Sequence, residues 1–453
     1  MEIRIFYLAI GLLLSNFLYC QSNPKPNIII IIADDAAWND SGAYGNTSIK
    51  TPNINQLGKE GLIFDNAFLT TSSCSPSRCS ILTGRYPRST GAPELHMPLP
   101  KKQTLFAGNL QKVGYFTAAI GKYHIGPERK EFDQIQDSKP SGAELWVQTL
   151  KERPKDKPFF MWFAAHDPHR PYTEETIKEP HDPKKIEVPP YLPDNDSTRI
   201  DLARYYDEIS RLDMYLGDVM EELKRQKVDD NTLVIFMSDN GRPFPRDKTR
   251  LYDSGIKTPF IVRWPKSIKS GRTNALISAI DIAPTLCELA GASMSESFQG
   301  NSFVPLLKDP NASIRDKIVA EHNWHDYQSQ EQAVRTQDFL YIRNALPYYN
   351  ASPPADAVNS PTYRKMIEMH NEAGLEEEYM DCFIVPRPGE ELYNVKKDPY
   401  QMHNLSQDPE YSDTLELMSD QLDEWLRIYG EYPFTPLRED KFYRWTGQVI
   451  KTD

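Results

Sequence analysis

Four apolar runs in the first part of the chain share one habit: each ends abruptly in a cluster of polar residues. Asn27–Ala33 (NIIIIIA) stops at Asp34 and Asp35, and Tyr115–Ile120 (YFTAAI) at Gly121, Lys122, Tyr123 and His124. Pro158–Ala165 (PFFMWFAA) stops at His166, Asp167, Pro168 and His169, and Thr232–Met237 (TLVIFM) at Ser238, Asp239, Asn240 and Gly241. Uninterrupted apolar runs of strand length are what a sheet covered on both faces requires. Between the third and fourth runs, Asp201–Lys227 carries Leu202, Tyr205, Ile209, Leu212, Leu216, Val219 and Leu223 at spacings alternating between three and four, one stripe along a helix. Strand alternating with helix predicts an α/β fold around a mostly parallel sheet, whose ligand site lies beyond the carboxyl ends of the strands. The four polar clusters are therefore expected to meet at one sheet edge.

The texture changes after about residue 315. Strand candidates Lys317–Glu321 and Phe339–Ile342 and an amphipathic stretch Tyr411–Ile428 predict a smaller α+β unit, and Asn350–Pro361, rich in Pro, Ala and Ser, reads as a loop. The division expected is 24–315 for a catalytic domain and 316–453 for a C-terminal subdomain contributing substrate contacts. No internal repeat or low-complexity tail is visible. Ahead of these, Ile5–Leu14 is a run of ten apolar residues behind Arg4. It is too short to span a membrane, which takes about 20 residues, and reads as a signal peptide over 1–20. The chain is then expected to be exported, to the periplasm or beyond the cell, with lipid anchoring at Cys20 the lesser alternative.

The 453 residues carry 52 Lys and Arg against 64 Asp and Glu, a net charge of -12. That balance speaks against nucleic acid as a partner, because phosphate binding needs a basic face. It does not exclude an anionic substrate bound in a pocket, since exposed charges beyond ~8–10 Å are largely screened. It does favour oligosaccharides or chain ends over internal positions of a long polyanion. The five cysteines are too few for a disulfide scaffold in an exported chain of this size. Cys79, Cys287 and Cys382 read as buried small hydrophobes.

Cys74 opens the run C-S-P-S-R-C-S-I-L-T-G-R, ending at Arg85. This run resembles the signature of the formylglycine-dependent sulfatases at Cys74, Pro76, Arg78, Thr83, Gly84 and Arg85. The resemblance implies an alkaline-phosphatase-like sandwich around a large mixed, mostly parallel sheet, with the smaller C-terminal α+β unit beside it. It also implies oxidation of Cys74 to formylglycine by a formylglycine-generating or anaerobic maturation enzyme. The chemical reason is clear: a serine attacking a sulfate ester yields another sulfate ester. A hydrated aldehyde instead attacks with one hydroxyl and expels sulfate when the second loses its proton. Pro76 and Ser77 have helix-start composition, and a helix N-terminus aimed at sulfate favours the anion.

The same resemblance extends to A-D-D (Ala33–Asp35) and S-D-N-G (Ser238–Gly241). It implies one divalent cation held by Asp34, Asp35, Cys74, Asp239 and Asn240. Oxygen donors suit Ca²⁺ or Mg²⁺ and disfavour zinc. Read alone, Asp34–Asp35 is an ordinary helix cap after a strand. In G-K-Y-H-I-G (Gly121–Gly126), Lys122 is implied to neutralise sulfate and His124 to deprotonate the second hydroxyl. In H-D-P-H, His169 is implied to protonate the leaving group, while His166 and Asp167 shape the loop. Lys248 is implied as a further sulfate-contacting cation, with Arg242, Arg246 and Arg250 as nearby competitors.

S-S-C-S-P-S-R, G-K-x-H-x-G-P-E, H-D-P-H-R and S-D-N-G-x-P-F-P are similar to the heparan N-sulfatase (sulfamidase) branch of that family. Lys248 departs from it, standing where that branch has arginine, whose planar fork is not equivalent to a lysine point charge. N-sulfate and O-sulfate therefore both stay open as targets, among glycosaminoglycans or algal polysaccharides such as ulvan. His322, His325 and Arg335 are expected substrate contacts from the C-terminal part. Two other readings stand beside this one: a phosphatase or phosphodiesterase of the same superfamily, and a non-catalytic binder of sulfated glycans.

Overall fold

The computed structural model describes residues 25–174, 176–372, 374–430 and 438–451. The segment read as a signal peptide, with Cys20, lies outside them. The central sheet has eight strands in the order β4-β3-β5-β1-β6-β7-β2-β8. These are β1 (Asn27–Ala33), β2 (Leu62–Phe68), β3 (Phe116–Gly121), β4 (Gln134–Gln136), β5 (Phe159–Ala164), β6 (Thr232–Ser238), β7 (Phe260–Arg263) and β8 (Gly271–Ser278).

The four runs singled out above are β3, β5, β1 and β6, four adjacent and mutually parallel strands. Their register brings their ends level: Ile32 pairs with Ala164, Ala164 with Gly121, and Ala33 with Ser238. Asp34, Lys122, His166 and Asp239 thus leave the sheet near one line. The run of isoleucines follows from burial on both faces. Ile28, Ile30 and Ile32 enter one core and Ile29, Ile31 and Ala33 the other. Each of these isoleucines stabilises the sheet by roughly 1.5–3 kcal/mol.

The long helix is Asp196–Arg225, and it starts ahead of the apolar stripe because its first turn is polar. The Asn195 side chain caps it, accepting from the Thr198 N–H at 3.0 Å. Its lower stripe (Leu212, Leu216, Val219, Leu223) packs on the β1 core, and its upper stripe (Leu202, Tyr205, Ile209) under the C-terminal loops. Asp201, on the upper part, receives both terminal nitrogens of Arg170 at 2.8 Å and the Thr362 hydroxyl at 2.7 Å.

The second sheet is antiparallel, in the order β12-β11-β10-β9: β9 (Lys317–Trp324), β10 (Gln328–Thr336), β11 (Phe339–Asn344) and β12 (Glu390–Asn394). Helix Ser412–Tyr429 covers one face through Met418, Leu422 and Trp425. The other face docks Ile318, Ala320, Ala333 and Leu340 against Phe68, Leu251, Ile256 and Leu276 of the first unit. The tract read as a loop contains one helical turn, Ala355–Val358, and leads into helix Pro361–Glu372. Among the described residues no helix is long and apolar enough to cross a membrane.

Candidate active site

Three local devices aim side chains beyond the sheet edge. At the end of β1, Asp35 adopts φ 77, a left-handed turn that Asp tolerates better than most residues. At the end of β3, Gly121 has φ 96, and a Cβ there would meet the Ala164 carbonyl oxygen at 2.0 Å. Only glycine fits, and it lets Lys122 and His124 turn over the strand ends. Thirdly, Cys74 is the first residue of helix Cys74–Thr83, every residue of which is buried. Its N-cap, Ser73, does not cap with its side chain, which pairs instead with His325 Nδ1 at 2.8 Å.

These devices, with the segments that follow β5 and β6, bring the ten proposed catalytic and metal-site residues together. Arg78, fully buried, donates from Nε to Asp239 Oδ2 at 2.8 Å and lies 3.6 Å from Asp34 Oδ1. Lys122 Nζ donates to Asp34 Oδ2 at 2.5 Å, and Lys248 Nζ to Asp35 Oδ2 at 2.8 Å. Asn240 Nδ2 donates to Asp35 Oδ1 at 2.5 Å, and Cys74 Sγ lies 3.7 Å from that same oxygen. Lys248's competitors are occupied elsewhere: Arg242 on Asp40, Arg246 on the Tyr400 and Gln401 carbonyls, Arg250 on Glu331 and Asp381.

The donor set fits a hard cation. Asp34, Cys74 and Asp239 each offer one ligand atom within 4.8 Å of the others. Asp34 Oδ1 and Asn240 Oδ1 are buried without a hydrogen-bond partner among the described residues, a costly state that a bound cation relieves. Apart from Cys74 Sγ the donors are oxygens, the chemistry of Ca²⁺ or Mg²⁺.

Burial opposes ionisation throughout. At Asp34, Lys122, His169, Arg78 and Lys248 outweigh it and hold the carboxyl well below the usual range. Asp239 is pushed up to about 6 by burial, despite Arg78. Burial, with Lys122 and Arg78 beside it, pushes His124 down to about 2, so its ring is neutral at ordinary pH. His124 Nε2 sits 2.8 Å from His96 Nδ1, while its Nδ1 is buried with no hydrogen-bond partner among the described residues. His169 pairs Nδ1 with the Arg170 carbonyl at 2.5 Å, so that nitrogen carries hydrogen and Nε2 faces the site. His166 binds Asp137, and Asp167 binds Arg211 and Ser141, both acting on loop shape.

The expected substrate contacts divide. His325 reaches the site through Ser73. His322 and His325 line one small cavity with Arg250, Glu331 and Arg387. Arg335 requires correction: its guanidinium is buried on β10 and forked onto Asp253 at 2.9 and 3.0 Å, so no donor face is left for a sugar. Two residues escaped the sequence reading. His96 belongs to no apolar run or motif. Asp356 sits in the Pro- and Ala-rich tract and comes within 3.3 Å of His169 Nε2 and 3.6 Å of Lys248 Nζ.

Comparison with known proteins accords with this architecture. The family described as Sulfatase matches residues 26–146 and 141–292, and the C-terminal family of N-sulphoglucosamine sulphohydrolase matches 244–351. The chain is 29% identical to an ulvan-active sulfatase of Formosa agariphila, across 93% of this chain and 78% of that one. It is 30% identical to human N-sulphoglucosamine sulphohydrolase, across 90% of each. Its fold resembles a protein solved with its substrate D-glucosamine-2-N,6-O-disulfate (TM-score 0.69, 20% identity, 89% of this chain and 98% of that one). It resembles equally a phosphonate monoester hydrolase of Agrobacterium radiobacter (TM-score 0.70, 18% identity, 89% and 96%), so the shared fold alone does not set the chemistry. Family matches across most of the chain and the 30%-identical relative carry the assignment: the chain is an enzyme of the sulfatase family.

Proposed function

We propose that the enzyme hydrolyses sulfate from a sulfated saccharide, after oxidation of Cys74 to formylglycine and with one Ca²⁺ or Mg²⁺ at Asp34, Asp35, Asp239, Asn240 and residue 74. The observation that carries this reading is Cys74 at the buried start of a helix, in one ligand cluster with Asp34 and Asp239. When formed, the hydrated aldehyde supplies the nucleophile, and the cation supplies Lewis-acid polarisation of the sulfate. The other residues bind and move protons. Lys122 and Lys248 flank the position of a sulfate and Arg78 lies beneath the ligand carboxylates, a preorganised set of cations. His124 Nδ1 accepts a proton and His169 Nε2 delivers one to the departing atom.

The substrate class draws support from the relatives named for ulvan and for N-sulphoglucosamine. N- and O-sulfated sugars, as oligosaccharides or chain ends, are both within the reading. Export through the N-terminal apolar run, maturation by a formylglycine-forming enzyme, and a division near residue 315 complete it. A phosphatase is the competing reading, favoured by the fold of the phosphonate hydrolase. Mass spectrometry of the Cys74 peptide from the native host, with sulfate and phosphate aryl esters assayed side by side, separates the two. An unmodified thiol, or phosphatase activity that survives Cys74→Ala, would overturn the sulfatase proposal.

A further inference from the structure

Asp356 is delivered to the site from far along the chain, in the first turn of helix Ala355–Val358. One oxygen lies 3.3 Å from His169 Nε2 and 3.6 Å from Lys248 Nζ. The side chain is 23% exposed, yet both carboxylate oxygens are shielded from solvent and without a hydrogen-bond partner among the described residues. A carboxylate in that state needs donors. Lys248 supplies charge at a distance and is itself committed to Asp35. Protonated His169 Nε2 can serve Oδ2 alone, so Asp356 Oδ1 is left for a donor from whatever occupies the pocket.

The position specifies which part of a ligand that is. His169 Nε2 faces the atom that leaves with a proton, so the groups within reach of Asp356 are the neighbours of the sulfated position on the sugar. We propose that Asp356 is a specificity-determining residue that accepts hydrogen bonds from a hydroxyl or protonated amine beside the scissile sulfate and rejects a second anionic group there. This deepens the sulfatase reading and rests on it. The rejection follows from charge: a sulfate or carboxylate brought against an ionised Asp356 meets like charge in a poorly solvated site.

The test uses the matured full-length enzyme, Asp356→Asn and Asp356→Ala. The probes are monosaccharide sulfates differing only in the neighbouring group (hydroxyl, amine or a second sulfate), together with 4-nitrophenyl sulfate. Wild type should favour the hydroxyl and amine compounds over the disulfate by at least ~10-fold in kcat/KM. Asp356→Asn should lower kcat/KM for the favoured compounds by about 10- to 100-fold, chiefly through KM, and collapse the preference. Turnover of 4-nitrophenyl sulfate, which brings no such donor, should fall much less. Equal losses on every substrate including 4-nitrophenyl sulfate, or a preference that survives the substitution, would overturn the proposal. If wild type releases sulfate from none of the probes, the sulfatase reading itself falls and takes the proposal with it. Aryl turnover with no preference among saccharides removes the proposal alone.

Discussion

His96 Nδ1 stands 2.8 Å from His124 Nε2, two imidazoles sharing one hydrogen. For His124 Nδ1 to accept a proton, its Nε2 must carry the hydrogen and His96 must be the acceptor. His96 holds this position at φ 62, a strained backbone for a non-glycine residue. We predict that His96→Ala lowers kcat about 5- to 10-fold with little change in KM, the size of one lost hydrogen bond. His96→Asn, which keeps an acceptor near the same place, should recover part of it. Steady-state kinetics on an aryl sulfate read both.

The shared ligand cluster predicts that cation binding and folding are linked. Adding Ca²⁺ to chelator-treated protein should raise Tm, by the equivalent of about 2.7 kcal/mol once the free cation reaches ~100 Kd. Asp34→Asn and Asp239→Asn should abolish that rise and lower metal content measured by mass spectrometry. A Tm in both variants that climbs with Ca²⁺ as in wild type would place the cation elsewhere.

Arg335 is expected to matter for stability and not for substrate. Removing one partner of its buried pair with Asp253 strands a carboxylate in the protein interior. Arg335→Ala should therefore cost about 3–5 kcal/mol in denaturant unfolding and leave KM for folded enzyme close to wild type. A double variant in which Asp253 also loses its charge should recover part of the loss.

Two buried groups tilt stability in opposite directions across the same pH range. Asp213 accepts the Ile54 and Asn53 N–H groups at 2.7 and 3.1 Å, yet burial raises it from 3.8 to about 6. Its folded-state pKa is raised, so its contribution is full below 3.8 and is lost as pH rises through about 6. His322 is lowered by burial from 6.5 to about 4, so its contribution is full above 6.5 and is lost as pH falls through about 4. Relative to wild type, Asp213→Asn should gain stability as pH rises from 4 to 6, and His322→Gln should lose it, each by at most about 3 kcal/mol. Urea unfolding at several pH values measures both slopes.

The sheet edge was legible because both-face burial leaves an unmistakable mark: the isoleucines of β1 have no exposed side on which a polar residue could stand. The helix over 196–225 was legible in its apolar middle and not in its first turn, which Asn195 caps through a side chain rather than through hydrophobic spacing. Strand β10 was invisible. Its residues read QSQEQAVRT, and its buried charges are compensated far along the chain, Glu331 by Arg250 and Arg387 and Arg335 by Asp253, partners up to 82 positions away. The metal and sulfate residues announced themselves by motif. Asp356 did not, because a carboxylate in a Pro- and Ala-rich tract has no local pattern, and what gives it meaning is an approach to His169 made by tertiary packing alone.

Asp201 grips Arg170 on one side and Thr362 on the other. The first neighbours His169 in sequence, and the second lies in the first turn of the helix that follows the Asp356 turn. A single carboxylate on a rigid helix is thus the common hinge pin of the strand-end loop and of the distant tract. When either segment frays, both lose their footing, and hydrogen exchange in the two should rise together. Grip on the sugar and readiness of the leaving-group side would then be tuned as one mechanical property rather than two.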